Sequence, residues 1–153
     1  MSIFFYDDNF TANPKRTEEL MDRIIALKQD GKNIRFTAQV HTSLAKFPNV
    51  VKKMAHAGCT RVYVGFESIN PATLKEYRKK QTPLEIEMAI ATFHSAGIRV
   101  HGMFMLGAEQ DDMSIVKTPR KFAKKNQIDT IQFMALTPLP GTEVFKQFET
   151  NGR

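Results

Sequence analysis

Several short polar clusters in this sequence fall where an α/β chain could do chemistry. Asp7-Asp8-Asn9 follows the aromatic run Phe4-Phe5-Tyr6, Gln39 and His41 follow a β-rich segment, and Glu67-Ser68 follow Val64-Gly65-Phe66. Met103, Phe104 and Met105 lie between Gly102 and Gly107, and Leu136 to Thr142 forms a further Pro- and Gly-containing stretch. Two acids and an amide can bind an amine or a metal, although Asp and Asn are equally at home in a turn that prepares a helix. Glu67-Ser68 can hydrogen-bond a ribose, or can open the loop that leads to Asn70. The glycines around Met103 can let a flat ring lie against the backbone, or can admit close packing or a bulge. Of the four histidines, His56 and His94 fall late on helical segments and read as surface residues, leaving His41 and His101 as strand-end candidates. No Walker A loop, Gly-x-Gly-x-x-Gly fingerprint or Gly-x-Ser-x-Gly elbow is present.

The elements that must position these clusters repeat with a clear rhythm. Strand-like runs begin near Ile3, Ile34, Arg61, Arg99 and Thr130, about 30 residues apart, with helical periodicity between them. Asn13-Pro14 reads as a cap and first turn, with Leu20, Ile24 and Leu27 on one face and Gly31 as the stop. A second helix is expected through Leu44, Phe47, Val51 and Met54, ending at Gly58. Asn70-Pro71 and Thr82-Pro83 each start a helix, the second with Glu85 set for a capping box and with Ile86, Ile90 and Phe93 buried. Residues 98–106 read as apolar on both faces, so the sheet is expected to be covered on both sides or closed. Pro119 is expected to kink the next helix or to restart it with Thr118 as cap.

The phrase Ala57-Gly58-Cys59-Thr60-Arg61-Val62 is echoed by Ala96-Gly97-Ile98-Arg99-Val100, each a helix stop followed by a strand start. The fold class is therefore α/β, a partial TIM-type barrel of about five parallel βα units, since a closed eight-fold barrel takes about 250 residues. In such folds ligands sit at the carboxyl ends of the strands, where the polar clusters lie.

The bulk properties agree with one ordinary domain. The chain has 153 residues, 42% hydrophobic and 25% charged. Its net charge of +6 comes from scattered pairs such as Lys52-Lys53, Lys79-Lys80 and Lys124-Lys125, which read as solvated helix faces rather than a nucleic-acid groove. The apolar stretch Ile3 to Tyr6 runs straight into Asp7, so it reads as neither a signal peptide nor a membrane span, and a cytoplasmic location is expected. Cys59, the one cysteine, excludes an intrachain disulfide and reads as a small packing residue.

Taken in order, Phe4 to Phe10, Gly58 to Ser68, Lys79 to Thr82, Ala96 to Gly107 and Leu136 to Thr142 resemble radical S-adenosylmethionine (SAM) enzymes, in particular the branch that often carries a cobalamin-binding domain. That resemblance implies a partial barrel whose first strand and following loop supply three cysteines, spaced Cys-x3-Cys-x2-Cys, to a 4Fe-4S cluster. It places the start of this chain at the second strand, so that residues 1–153 are a core lacking the first strand and the cluster loop. By position it assigns Asp7, Asp8 and Asn9 to the amino group of SAM, Glu67 and Ser68 to its ribose, Lys79 to its carboxylate, and the strand from His101 through Met103 to Met105 to adenine. The activity implied is radical-based modification or methylation of a small-molecule substrate, with the cluster, and possible cobalamin, held by a missing N-terminal segment or a second chain. The alternative is an inactive, truncated SAM-binding remnant. A third reading makes Asp7, Asp8 and His41 the metal site of an unrelated barrel fragment.

Overall fold

The structure, a computed structural model, describes residues 1–150; the last part of the expected 1–153 domain, residues 151–153, lies outside the described residues. β1 (Ser2–Phe5), α1 (Pro14–Gln29), β2 (Arg35–Val40), a 3-10 turn (Thr42–Lys46) and α2 (Pro48–Ala57) lead into β3 (Cys59–Glu67). α3 (Pro71–Glu76), α4 (Pro83–Ser95), β4 (Arg99–Leu106), α5 (Lys117–Lys125), β5 (Thr130–Ala135) and α6 (Glu143–Thr150) complete the described chain. The five strands form one sheet in the order β1-β2-β3-β4-β5, and every pairing is parallel. Successive neighbours joined by crossovers of one hand put their helices on one side, as in an arc of a barrel.

That topology decides which side chains are buried. Phe36, Ala38, Val40, Val62, Val64, Phe66, Val100 and Phe104 point to the helix side and join Met21, Ile24, Val51, Met54, Ile86, Ile90 and Phe93 in one core. The alternate residues, among them Gln39, Tyr63, His101, Met103 and Met105, are only half-buried. Among the described residues the sheet is therefore covered by helices on one face and open on the other, so of the two alternatives raised by the apolar run at 98–106 it is the arc of a barrel and not a sheet covered on both sides. Methionines and a histidine supply an apolar look without being sealed in. Gly102 lies on the helix side, where a Cβ would stand 2.7 Å from Cε2 of the fully buried Phe66 ring. Its lack of a side chain serves this packing.

Local signals account for most boundaries. Asn13 Oδ1 accepts from Arg16 N–H, and the Thr82–Glu85 capping box is complete, with Glu85 N–H donating to Thr82 Oγ1 (3.2 Å) and Thr82 N–H donating to Glu85 Oε2 (2.9 Å). Gly58 takes φ +108, and any Cβ there would run into Ile34 O, so the α2–β3 corner requires glycine.

Three expectations are corrected. In α1 the buried face is Thr17, Met21 and Ile24, while Leu27 is exposed. The second helix is two elements, because Pro48 opens α2 afresh after the 3-10 turn and leaves Phe47 exposed between them. α5 begins at Lys117 with Val116 as its cap residue, so Pro119 sits at the third helical position and Thr118 is not the cap. The N–H that a proline lacks there has no intrahelical partner in any case, and no kink is needed.

Candidate functional site

The carboxyl end of β3 is the most elaborately built part of the molecule. Pairing with β4 slips between Gly65 and Glu67, and Glu67 takes φ +59, a left-handed conformation that costs a non-glycine residue about 1 kcal/mol. The turn folds the Glu67 side chain back over the strand, with Oε1 2.8 Å from where a Cβ on Gly65 would stand. Lys79 Nζ lies 3.0 Å from that oxygen, and the carboxylate side chain is only 14% exposed. Glu67 Oε2 is buried and has no hydrogen-bond partner among the described residues. An unpaired buried carboxylate oxygen is an acceptor held ready for a donor that the chain itself does not provide. Ser68 is also buried, and its Oγ accepts from Asn70 N–H at 3.0 Å.

Gln81 holds this bend in place, a role the sequence reading did not assign. It is buried; its Nε2 donates to Phe66 O (2.8 Å) and Gly65 O (3.3 Å), and its Oε1 accepts from Thr42 Oγ1 (2.7 Å). One amide thus ties the β3 bend to the 3-10 turn after β2. The available signal was a neutral polar residue just ahead of the Thr82-Pro83 helix start.

Asp7, Asp8 and Asn9 divide their roles. Asn9 Oδ1 accepts from Thr11 N–H (3.2 Å) and Thr11 Oγ1 (3.1 Å), which makes it the turn former. Phe10 N–H donates to Gln39 O, and its ring stacks on Phe5, anchoring the turn beside β2. Asp7 and Asp8 are exposed. Among the described residues no group of three His, Cys, Asp or Glu side chains gathers to hold a metal ion, so Asp7, Asp8 and His41 do not form the metal site of the third reading. His41 instead accepts from Ser43 N–H through Nδ1 (3.2 Å). Burial and the cations of Lys79 and Lys46, opposed by Glu85, hold its imidazole below the usual histidine range.

Two clefts meet at the β3–β4 rim. One, of about 410 Å³, is lined by Glu67, Tyr77, Lys79, Met105 and, from α6, Glu143 and Val144. The other, of about 240 Å³, takes in Glu67, Ser68, Met105 and Asp111. Glu67, Ser68 and Lys79 are thus brought together, and Met105 rather than Met103 reaches both clefts. Met103 lies half-buried further down the open face. His101 is not at a carboxyl end. It is the third residue of β4, with Nδ1 2.8 Å from Thr130 Oγ1, Nε2 3.2 Å from Gln132 Oε1 and its ring 4.7 Å from that of Tyr63. The neutral Nε2–H form satisfies both partners, which makes His101 part of a polar layer below the rim.

Cys59 opens β3 at the opposite, amino end of the sheet, 5% exposed. Burial, partly offset by the Arg61 backbone, pushes its thiol up to about 12. An unperturbed cysteine titrates near about 8.5, so iodoacetamide at pH 8.5 is expected to label the native chain far more slowly than the urea-unfolded chain. Mass spectrometry over time checks this; equal labelling rates would contradict the packing role.

A single sheet of consecutive parallel βα units, with its polar clusters at the carboxyl ends, defines a barrel-type α/β core. Residues 2–122 match the Radical SAM superfamily, and the chain belongs to that family. It is 38% identical over 146 residues, 94% of this chain and 30% of the relative, to the uncharacterized methyltransferase PH0819 of Pyrococcus horikoshii. It is 29% identical over 150 residues, 97% of this chain and 32% of the relative, to bacteriochlorophyllide d C-12(1)-methyltransferase of Chlorobaculum tepidum. Its fold superposes on TsrM of Kitasatospora setae, a radical SAM methyltransferase, with a TM-score of 0.74 at 17% identity, covering 90% of this chain and 28% of that one. The chain spans about a third of the length of the curated relatives it matches. Among the described residues no helix is long and apolar enough to cross a membrane.

Proposed function

We propose that this chain forms the SAM-binding part of a radical SAM methyltransferase core, acting on a small molecule. The observation that carries the reading is the Glu67 carboxylate, buried at the rim with Oε2 unpaired and Oε1 shared with Lys79. These residues fit SAM: Glu67 accepts from the ribose hydroxyls with Ser68 beside it, Lys79 pairs with the carboxylate, and Asp7 and Asp8, with Asn9 shaping their turn, take the ammonium group. Met103 and Met105, with His101 below them, give the adenine an apolar wall on β4.

No residue of this sequence fits the 4Fe-4S cluster. Its one cysteine is buried at the wrong end of β3, so in this reading the cluster, with the first strand and its Cys-x3-Cys-x2-Cys loop, comes from a preceding segment of the same polypeptide or from a second chain. Cobalamin belongs to the proposal as the cofactor of a further domain; TsrM is described with cobalamin and a [4Fe-4S] cluster bound. When bound, these groups supply the one-electron and methyl-transfer chemistry, while the residues above bind and orient SAM.

Isothermal titration of the purified chain with SAM tests the reading. Saturable one-to-one binding is expected, and restoring the cluster-bearing segment is expected to release 5′-deoxyadenosine or to methylate an acceptor. A chain that binds SAM but stays inert after that restoration is the truncated remnant. A chain that binds no SAM removes the proposal.

A further inference from the structure

Among the described residues, the proposed SAM site leaves three buried polar atoms unaccounted for, on Arg61, Thr73 and Tyr77, and of these residues Tyr77 is the one that lines the larger cleft. Tyr77 closes α3, and its Oη is buried with no hydrogen-bond partner among the described residues. Of the acids around it, Glu76 and Asp111 are engaged elsewhere, while Glu67 keeps one oxygen on Lys79 and its free Oε2 is the acceptor already given to the ribose. Glu76 Oε1 accepts from Glu109 N–H (3.0 Å), Asp111 Oδ2 accepts from Gly107 and Ala108 N–H (2.8 and 2.7 Å), and Glu67 Oε1 faces Lys79. Buried hydroxyls without partners are uncommon and costly, so a donor left in this state at a cleft wall calls for an acceptor from outside.

The backbone brings Tyr77 to the same cleft as Lys79. α3 ends in a Schellman arrangement: Arg78 N–H donates to Lys75 O (3.0 Å), Lys79 N–H donates to Leu74 O (2.8 Å), and Arg78 takes φ +53. That left-handed residue reverses the chain, with the result that Tyr77, Arg78 and Lys79 all line the larger cleft. Above them sits α6, joined to Arg78 by two hydrogen bonds from the guanidinium to Glu143 (3.0 and 2.8 Å). No α6 side chain is fully buried, so the helix can lift without opening the core. Burial, reinforced by Asp111, Glu76 and Glu67, pushes the Tyr77 phenol up to about 12, which keeps it a hydrogen-bond donor throughout the neutral range.

We infer that Tyr77 is a positioning residue for SAM, its Oη–H donating to the same carboxylate that Lys79 pairs with. The inference rests on the SAM reading above. A carboxylate has about four acceptor sites, and one ammonium leaves most of them open. A neutral, pre-placed phenol fills one of these without adding charge to a cleft that already holds Lys79 and Arg78.

The test pairs two ligands with two proteins. The parent chain and Tyr77→Phe are each titrated with SAM and with decarboxylated SAM, and the thermal midpoint of each free protein is measured. SAM is expected to bind Tyr77→Phe about tenfold more weakly, the worth of a hydrogen bond to a charged group. Decarboxylated SAM is expected to bind both proteins alike, and the free variant to be at least as stable as the parent, since no hydrogen bond is lost. Equal losses on both ligands, no loss at all, or a lower midpoint for the free variant would overturn the role of Tyr77 and leave the SAM site standing. A parent chain that binds neither ligand overturns the SAM reading itself and the role of Tyr77 with it.

Discussion

Gln81→Leu is expected to lower the stability of the chain by about 3 kcal/mol, because a near-isosteric apolar side chain removes three hydrogen bonds from a buried bend at once, leaving Phe66 O with the Ser68 N–H. Phe66 O, Gly65 O and Thr42 Oγ1 all bond to this one amide at 3.3 Å or less. Residue volume is roughly kept, so the loss is polar and not a cavity. The urea midpoint is expected to fall with an unchanged m-value, the signature of lost stability without a change in the surface exposed on unfolding. The effect also reaches function. The Gly65 and Phe66 carbonyls belong to the bend that turns Glu67 over the strand, and freeing them loosens the carboxylate that the proposed ligand must meet. Gln81→Glu is a useful companion: it keeps the acceptor for Thr42 but faces two carbonyl oxygens with a carboxylate, and it is expected to be at least as damaging at neutral pH. A Leu variant with the parent's midpoint would show that the bend is held by β3–β4 pairing alone.

The βα rhythm was legible because it rests on local rules. Asn13, Asn70 and Thr82 cap where their side chains can reach the next N–H groups, and Gly58 stands where the next strand leaves no room for a Cβ. What the sequence concealed is tertiary. Leu27 has the right spacing for a buried stripe and faces water, while the buried face of α1 runs through Thr17, Met21 and Ile24. Residues 98–106 look apolar throughout, yet only Ile98, Val100, Gly102 and Phe104 are sealed, because helices cover one side of this sheet. At the rim Glu67 lines both clefts, with Lys79 beside it in one and Ser68 in the other. That Glu67 would turn backwards onto Lys79 could not be read from residue types, since a left-handed glutamate breaks the local preference that sequence reasoning relies on. Tyr77 and Gln81 were invisible for a related reason: each acquires its role from a chain reversal that brings a helix end beside a strand end.

Lys79→Met is expected to cost about 2 kcal/mol, and adding Glu67→Gln to it is expected to recover most of that loss. The pair is short, 3.0 Å, and partly buried, with the side chains 34% and 14% exposed. Removing the cation alone strands a largely buried carboxylate whose second oxygen is already unpaired, which is why breaking such a pair costs more than replacing both of its members. The exposure of Lys79 keeps the figure below that of a fully buried pair. Glutamine restores neutrality at almost the same volume and can donate to a backbone carbonyl at the bend. Thermal midpoints of the parent, the two single variants and the double variant yield the coupling directly. Binding is expected to follow the opposite course. If Glu67 and Lys79 hold the ribose and carboxylate of SAM, the double variant is well folded and still loses most of its affinity, because it lacks both the anionic acceptor and the cation. Recovered stability with recovered SAM affinity would mean that the pair only braces the β3 bend. Recovered stability without affinity would separate the two roles that this ion pair combines.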